Sequence, residues 1–489
     1  MQQNRVGEQK SYKQFGHFSL LIFFCITLVS AASFEDFKKS QDVAFAKYSD
    51  EKDKAFKSYL ESQWNEYSTQ KSLPLYEKPK PKNIPSSVEK QIENVGPKIS
   101  VELPQKEQVA QKNNQKYIIV DLQADVVKKD VNFDFFGKEL GFNIDEKIKD
   151  ANYYPQNQKG ISNFFDVIAS SEYDYLILEI QKIASDMKLN DWGVYLLVSK
   201  LSDEIFETKD NKNLFKWFIF NKLGYGVKVG ISNRHVVLMF HSTKQIYAVP
   251  SYTIEAKKYY VLQKSADNMR KSLYSYPQEY PGENKPFDLS LEVLPKVAIS
   301  KKKKTLSFKQ LGKQYSVTFN YNQNLIDFMA TYPQADYDTF FNAPMDDTTY
   351  EEIAQSLKTH INGMQASSAI NFVLNFIQNA FIYETDSQQF GYEKVMFAQE
   401  TLYYDKSDCE DRAILFSKLV NKIFKIAVVG VKYKDHMATA LYIPMDGDKV
   451  KVNSKQFVVA DPTYINANIG QSMPRYKSKR PDSFIIVKQ

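Results

Sequence analysis

Residues 403–420 read YYDKSDCEDRAILFSKLV, a polar approach that gives way to apolar residues at helical spacing. Ala413, Phe416 and Val420 mark one face of a helix. Ser407 with Glu410 has the S-x-x-E form of a capping box, which makes Ser407 the expected N-cap. Cys409 then lies in the first turn, where backbone N–H groups are unpaired and the helix dipole is positive. Such a place favours a thiolate, which a cysteine of pKa about 8.5 scarcely forms at pH 7. The competing reading is a buried thiol acting as a small apolar side chain.

Downstream, KIAVVGV reads as a strand. KYKDHMATALYI puts His436 at the start of a second, alternating strand, and QFVVADPTYI puts Asp461 at the end of another. A nucleophile at a helix start, an imidazole on one strand and an acid on the next let the histidine pair with thiol on one side and carboxylate on the other. DCED, DHMATAL and ADPTYI together resemble the transglutaminase-like superfamily of papain-like cysteine enzymes, where Cys, His and Asp follow in that order. The lead-in FAQETLYYDKSDCED is similar to bacterial transglutaminase-like cysteine proteinases, including periplasmic proteases that release adhesins. The resemblance implies Cys409 as nucleophile, His436 as general base and acid, and Asp461 as the orienter of the imidazole. It requires no cofactor. In the adhesin-releasing relatives calcium binds beside the nucleophile, and Asp408 with Glu410 stand at the positions resembling its ligands. Ser407 stands where the family commonly has glycine, and Tyr392–Phe397 lacks the expected tryptophan.

The chain has 489 residues and two cysteines. Cys25 lies in HFSLLIFFCITLVSAAS, an apolar run preceded by Arg5, Lys10 and Lys13 and ending in small residues, which reads as a secretory signal over residues 1–32. A periplasmic or secreted location is therefore expected, or a membrane anchor if the leader is retained. Without the leader Cys409 is the sole cysteine, so no internal disulfide is expected. A formal charge of +6 on a chain this long argues against a nucleic-acid partner.

Phe34, Phe45, Phe56 and Tyr67 recur every eleven residues, which predicts a long helix over 33–70 with one aromatic stripe. The stripe suits an envelope partner docking through residues 34–67 or the protein's own body. Residues 71–115, rich in Pro, Lys and Gln, read as an extended linker. From there the chain repeats itself: FFGKELGFNID (135–145) resembles QLGKQYSVTFN (310–320). YDYLILEIQKIASDM (173–187) resembles YEEIAQSLKTHINGM (350–364), and residues 214–240 resemble 414–441. The expected architecture is α+β, with tandem transglutaminase-like units at 116–265 and 303–489, the first degenerate and the second catalytic, joined by a linker over 266–302; KKKK at 301–304, between the two units, reads as solvated linker. Lys209 then matches Cys409, His235 matches His436, and Val249 matches Asp461, leaving the first unit without nucleophile or orienter. His360 reads as structural, and His241 has no acid or cysteine positioned with it. The expected function is an exported cysteine enzyme acting on protein or peptide amides through a thioester, with hydrolysis favoured over transfer. The alternative is a non-catalytic envelope binding or assembly protein with a vestigial triad.

Overall fold

Hairpins open both halves of the chain, each turned by two residues in the left-handed backbone region. The computed structural model describes residues 50–62, 64–100, 129–262, 272–282 and 284–488. A helix α1 (residues 50–60) and a strand β1 (Asn65–Ser68) come first. The first hairpin is β2 (Val131–Phe135) and β3 (Lys138–Phe142), with Phe136 and Gly137 at φ 50° and 79°. Helices α2 (Glu146–Asp150), α3 (Gln158–Ala169), α4 (Tyr173–Asp186), α5 (Asp191–Ile205) and α6 (Lys209–Lys222) follow. Strands β4 (Val227–Ser232), β5 (His235–His241), β6 (Ser251–Ile254), β7 (Lys257–Tyr260) and β8 (Ser272–Ser275) complete this half.

The second half repeats the plan. Its hairpin is β9 (Lys301–Gln310) and β10 (Lys313–Asn322), turned at Leu311 and Gly312 with φ 48° and 76°. Then come α7 (Gln323–Ala330), α8 (Tyr337–Asn342), α9 (Asp347–Ile361) and α10 (Ala366–Ala380). Here the halves part. In the first, residues 206–208 alone join α5 to α6. In the second, β11 (Ile382–Tyr383), α11 (Asp386–Gln389), α12 (Ala398–Tyr403) and β12 (Lys406–Ser407) intervene before α13 (Cys409–Phe424). Strands β13 (Val428–Tyr433), β14 (His436–Leu441), β15 (Lys449–Val452), β16 (Lys455–Ala460) and β17 (Ser483–Ile486) close the chain.

The first sheet runs β1-β8-β4-β5-β7-β6 and the second β17-β13-β14-β16-β15. Apart from the added β1 the two orders coincide, and each neighbouring pair is antiparallel. Helices and antiparallel sheets in separate runs of sequence make the class mixed α and β, as the periodicities imply. Each sheet is backed by one helix that is buried nearly all round. Phe215, Trp217, Phe218 and Phe220 of α6 and Ile414, Leu415, Phe416 and Leu419 of α13 are fully buried, which contributes about 1.5–3 kcal/mol per large side chain. Such a helix can only sit inside, so the sheet and the preceding helices must wrap it.

Several expectations need correction. The described part of the long helix stops at Leu60, whose carbonyl accepts from Trp64 Nε1 at 2.9 Å. Tyr67 lies instead on β1, paired with Leu273 of β8. Phe56 is fully buried, edge-on to Phe165, Tyr276 and Tyr280, so this part of the stripe is spent on the chain's own core. Residues 33–49 and the leader lie outside the described residues, among which no helix is long and apolar enough to cross a membrane. Residues 71–100 form no helix and no strand, yet Leu75, Tyr76 and Lys80 are buried. The segment expected as a linker after residue 265 contributes β8 to the first sheet. The KKKK run begins β9 rather than forming a linker: Lys301, Lys302 and Lys303 are exposed, while Lys304 Nζ donates to Tyr403 O at 2.5 Å and pairs with Asp405.

The register also separates Val249 from Asp461. Thr439 pairs with Ala460 and Phe240 with Tyr260. Asp461 therefore follows β16, whose counterpart is β7, whereas Val249 precedes β6. The corresponding slot falls on residue 263, outside the described residues. YAVPSY and VADPTY look alike in letters only.

Candidate active site

The start of α13 is built by two buried side chains. Asp408, with extended backbone (φ −113°, ψ −156°), is the N-cap, and its N–H donates to Asp411 Oδ2 at 3.2 Å. Arg412 is fully buried: Nη1 donates to Gln378 O at 3.2 Å, Nη2 to Phe381 O at 2.8 Å and Nε to Ser407 Oγ at 3.1 Å. It thereby locks the helix to the end of α10. The cap is thus one residue later than Ser407, because Ser407 is held by Arg412 and Glu410 is drawn elsewhere. Cys409 stands at the first helical position with no exposed surface.

His436 opens β14 and Asp461 directly follows β16, so the ladder brings them side by side. His436 Nε2 lies 2.8 Å from Asp461 Oδ2, both side chains buried. Asp461 Oδ1 accepts from Thr463 N at 2.9 Å, and its carbonyl accepts from Gln378 Nε2 at 3.1 Å. Tyr476 stacks on the imidazole, centroids 4.7 Å apart and planes at 16°, and its hydroxyl donates to Asp435 Oδ1 at 3.1 Å. With Nε2 engaged, Nδ1 is the nitrogen left to serve a thiol, and the partner on Nε2 fixes the tautomer. Histidine and acid are therefore joined as expected.

The thiol is turned another way. Cys409 Sγ donates to Glu410 Oε2 at 3.2 Å, and the Tyr76 hydroxyl lies 3.8 Å from it. Among the described residues no hydrogen bond joins Sγ to His436. Burial, then the Glu410 and Asp408 carboxylates, hold the thiol well above its ordinary range, with Lys80 pulling the other way. Burial and like charge thus work against the thiolate that the helix start was expected to favour.

Lys80 is the residue that sequence reasoning missed. Its Nζ is buried among four carboxylates: Asp386 at 2.9 Å, Glu393 at 2.7 Å, Asp408 at 2.5 Å and Glu410 at 2.7 Å. Burial works against its charge, but Asp408, Glu410 and Asp386 raise it well above the usual ammonium range. Burial raises Glu410 as well, yet the charge and hydrogen bond of Lys80 bring that carboxyl below its ordinary value. Asp408 is driven well above it by burial and by Asp386 and Glu410, and Asp386 is pushed up to about 8. The calcium ligands expected at Asp408 and Glu410 belong to this cluster, in which three overlapping acidic groups lie close enough to share an ion. The ammonium fills their centre. In this structure it is the Lys80 ammonium that the Asp408 and Glu410 oxygens contact.

The other matched positions differ in kind. Lys209 opens α6 as Cys409 opens α13, after the N-cap Thr208. His235 follows a two-residue turn at the start of β5, as His436 does on β14, but its side chain is 74% exposed and its Nδ1 lies 3.1 Å from Asp210 Oδ2. His360 packs against the rings of Tyr315 and Phe372, and His241 Nδ1 lies 3.0 Å from Lys258 O, in keeping with structural roles. The chain matches no family model, no curated protein and no solved structure.

Proposed function

We propose that the chain is a transglutaminase-like cysteine enzyme acting on protein or peptide amides, with a second, silent copy of the same unit at its N-terminal side. One observation carries this reading: the buried His436–Asp461 pair stands on the sheet that backs the helix opened by Cys409. The thiolate of Cys409 attacks the carbonyl carbon while His436 holds the sulfur's proton. That proton passes to the departing amine as the C–N bond breaks, leaving a thioester on Sγ. Water then gives a proton to His436 and attacks the thioester, releasing acid and thiol; an amine in place of water gives transfer. Asp461 holds the ring in the tautomer this needs and stabilises the imidazolium. Export through the leader fits an extracytoplasmic protein or peptide substrate.

The rival reading, a binding or assembly protein with a vestigial triad, draws support from the buried, carboxylate-bonded thiol. Mass spectrometry of chain incubated with peptide amides or p-nitrophenyl esters separates them. An acyl adduct on Cys409 that is lost in Cys409→Ala and slowed in His436→Ala supports the enzyme. No adduct, from chain whose thiol is shown to be accessible, sinks it.

A further inference from the structure

Residues 73–81, LPLYEKPKP, cross the molecule between two exposed stretches, 71–74 and 82–83, while burying Leu75, Tyr76 and Lys80. The backbone is held along its length. Leu73 O accepts from Ala248 N of the first half at 3.0 Å, Lys78 N donates to Lys434 O at 3.2 Å, and Pro81 O accepts from Tyr383 OH at 2.7 Å. Lys434 lies two residues before His436 in the β13–β14 turn, and Tyr383 lies in the insertion before α13. The segment therefore touches both the turn that leads into the histidine's strand and the insertion that leads into the cysteine's helix. Pro79 and Pro81 keep it extended on either side of Lys80.

Its side chains fill what lies between. The Tyr76 hydroxyl donates to Glu410 Oε2 at 3.1 Å and stands 3.8 Å from Sγ; its ring meets Tyr337 edge-on at 6.0 Å, with Lys432 Nζ over it at 5.3 Å. Four residues on, Lys80 puts its ammonium among Asp386, Glu393, Asp408 and Glu410. Three of those four belong to residues 381–408 or the cap they lead into, the part of the second half that the first half lacks. A pocket of four carboxylates that buries one ammonium is specific for a primary amine on a long stem, because a neutral side chain would leave the carboxylates desolvated and unpaired.

We propose that residues 73–81 are a pseudosubstrate strap, and that the pocket of Asp386, Glu393, Asp408 and Glu410 is a subsite for a lysine side chain. The open enzyme then takes extended polypeptide carrying lysine. The word substrate rests on the enzyme reading above; the strap's closure of the thiol does not. The strap escapes its own reaction because it offers the sulfur a phenol and no carbonyl.

The test uses the full chain with recognition sequences for one site-specific protease inserted after Ser72 and after Lys82, both exposed, so that folding precedes cutting. Before cutting, iodoacetamide should label Cys409 slowly. After cutting and desalting, labelling should be at least tenfold faster, and a synthetic peptide of residues 73–82 should restore protection saturably. The same peptide with Lys80→Met should protect at least tenfold less well. An unchanged rate after the released peptide has been removed overturns the strap, and equal protection by both peptides overturns the lysine subsite. Anisotropy of the labelled peptide on cut Cys409→Ala chain keeps the two readings apart. Binding retained while the cut wild type lacks turnover counts against the enzyme alone, and absent binding counts against the strap alone.

Discussion

The helices α6 and α13 occupy the same place in the same frame, yet one begins with Lys209 and the other with Cys409. Around both, a hairpin, a run of helices and an antiparallel sheet of one strand order recur. What differs is the filling at the helix start. In the first half Asp210, the second residue of the helix, takes the histidine for itself through Oδ2 and takes Val236 N through Oδ1 at 2.8 Å. His235 is thus an exposed surface residue. In the second half the helix start is buried under the insertion and the strap, and the histidine turns instead to Asp461. A frame of this kind rests mainly on apolar burial and tolerates either filling; chemistry depends on polar side chains delivered from distant parts of the chain.

The sharpest test of that contrast is Asp461→Asn. On strap-released enzyme, turnover of a peptide amide should fall about 10³–10⁴-fold, as expected when the orienter no longer fixes the tautomer. The pH profile of Cys409 alkylation should shift as well, because an imidazole held in the wrong tautomer no longer stabilises the thiolate, whereas the unfolding midpoint should hardly move. A fall in activity with an unchanged alkylation profile would mean that Asp461 only packs.

Removing the strap's cation should come next in size. Lys80→Met leaves four carboxylates facing one another without a counter-charge, which should cost about 3–5 kcal/mol in chemical denaturation, the usual result of deleting one partner of a buried ion cluster. If the denaturation midpoint stays where it is, the cluster is solvated and the strap is loosely held.

Much of the frame was legible because local signals agreed with it. Gly137 and Gly312 mark turns that need positive φ, and both hairpins form there. The apolar runs of α6 and α13 could only be core helices. His436 and Asp461 were legible because the start of one strand and the end of its neighbour are brought together by an ordinary antiparallel ladder. Lys80 was not, because its partners Asp386, Asp408 and Glu410 lie 306, 328 and 330 residues away. A proline-flanked lysine in a charged stretch reads locally as linker. The cap shows the same limit on a smaller scale. Ser407-x-x-Glu410 and Asp408-x-x-Asp411 both fit a capping box, and the choice was made by Arg412 holding Ser407 and Lys80 drawing off Glu410.

The carboxylates around that lysine also give the second half a pH response of its own. Burial, then Asp411 and Glu410 working against Lys80, push Asp386 up to about 8 from an ordinary 3.8; burial and Glu410 push Asp411 up to about 7. Both groups therefore bind their proton more tightly folded than unfolded. The stability this contributes is fully present below about pH 4 and is lost as pH rises through 7 to 8. The thermal midpoint should therefore fall by several degrees between pH 6 and pH 9 relative to that of Asp386→Asn. A difference between the two proteins that stays constant across that window would show that Asp386 is ionised already at pH 6.

The smallest effect belongs to the first half. His235 is mostly exposed and touches only Asp210 through its side-chain hydrogen bond, so His235→Ala should change stability by less than about 0.5 kcal/mol, as for other surface positions. It should leave turnover of strap-released enzyme unchanged. Lys209→Cys goes further, for it gives α6 the same first residue as α13. The new thiol should react with iodoacetamide at the rate of a free thiol, because no insertion and no strap cover that helix start. It should form no acyl adduct with peptide amides, because His235 faces Asp210 and lacks the acid that orients His436. An adduct at position 209 would overturn the contrast, since it would mean that a helix start with a neighbouring histidine is enough and that Asp461, the insertion and the strap are refinements of a chemistry the frame already supplies.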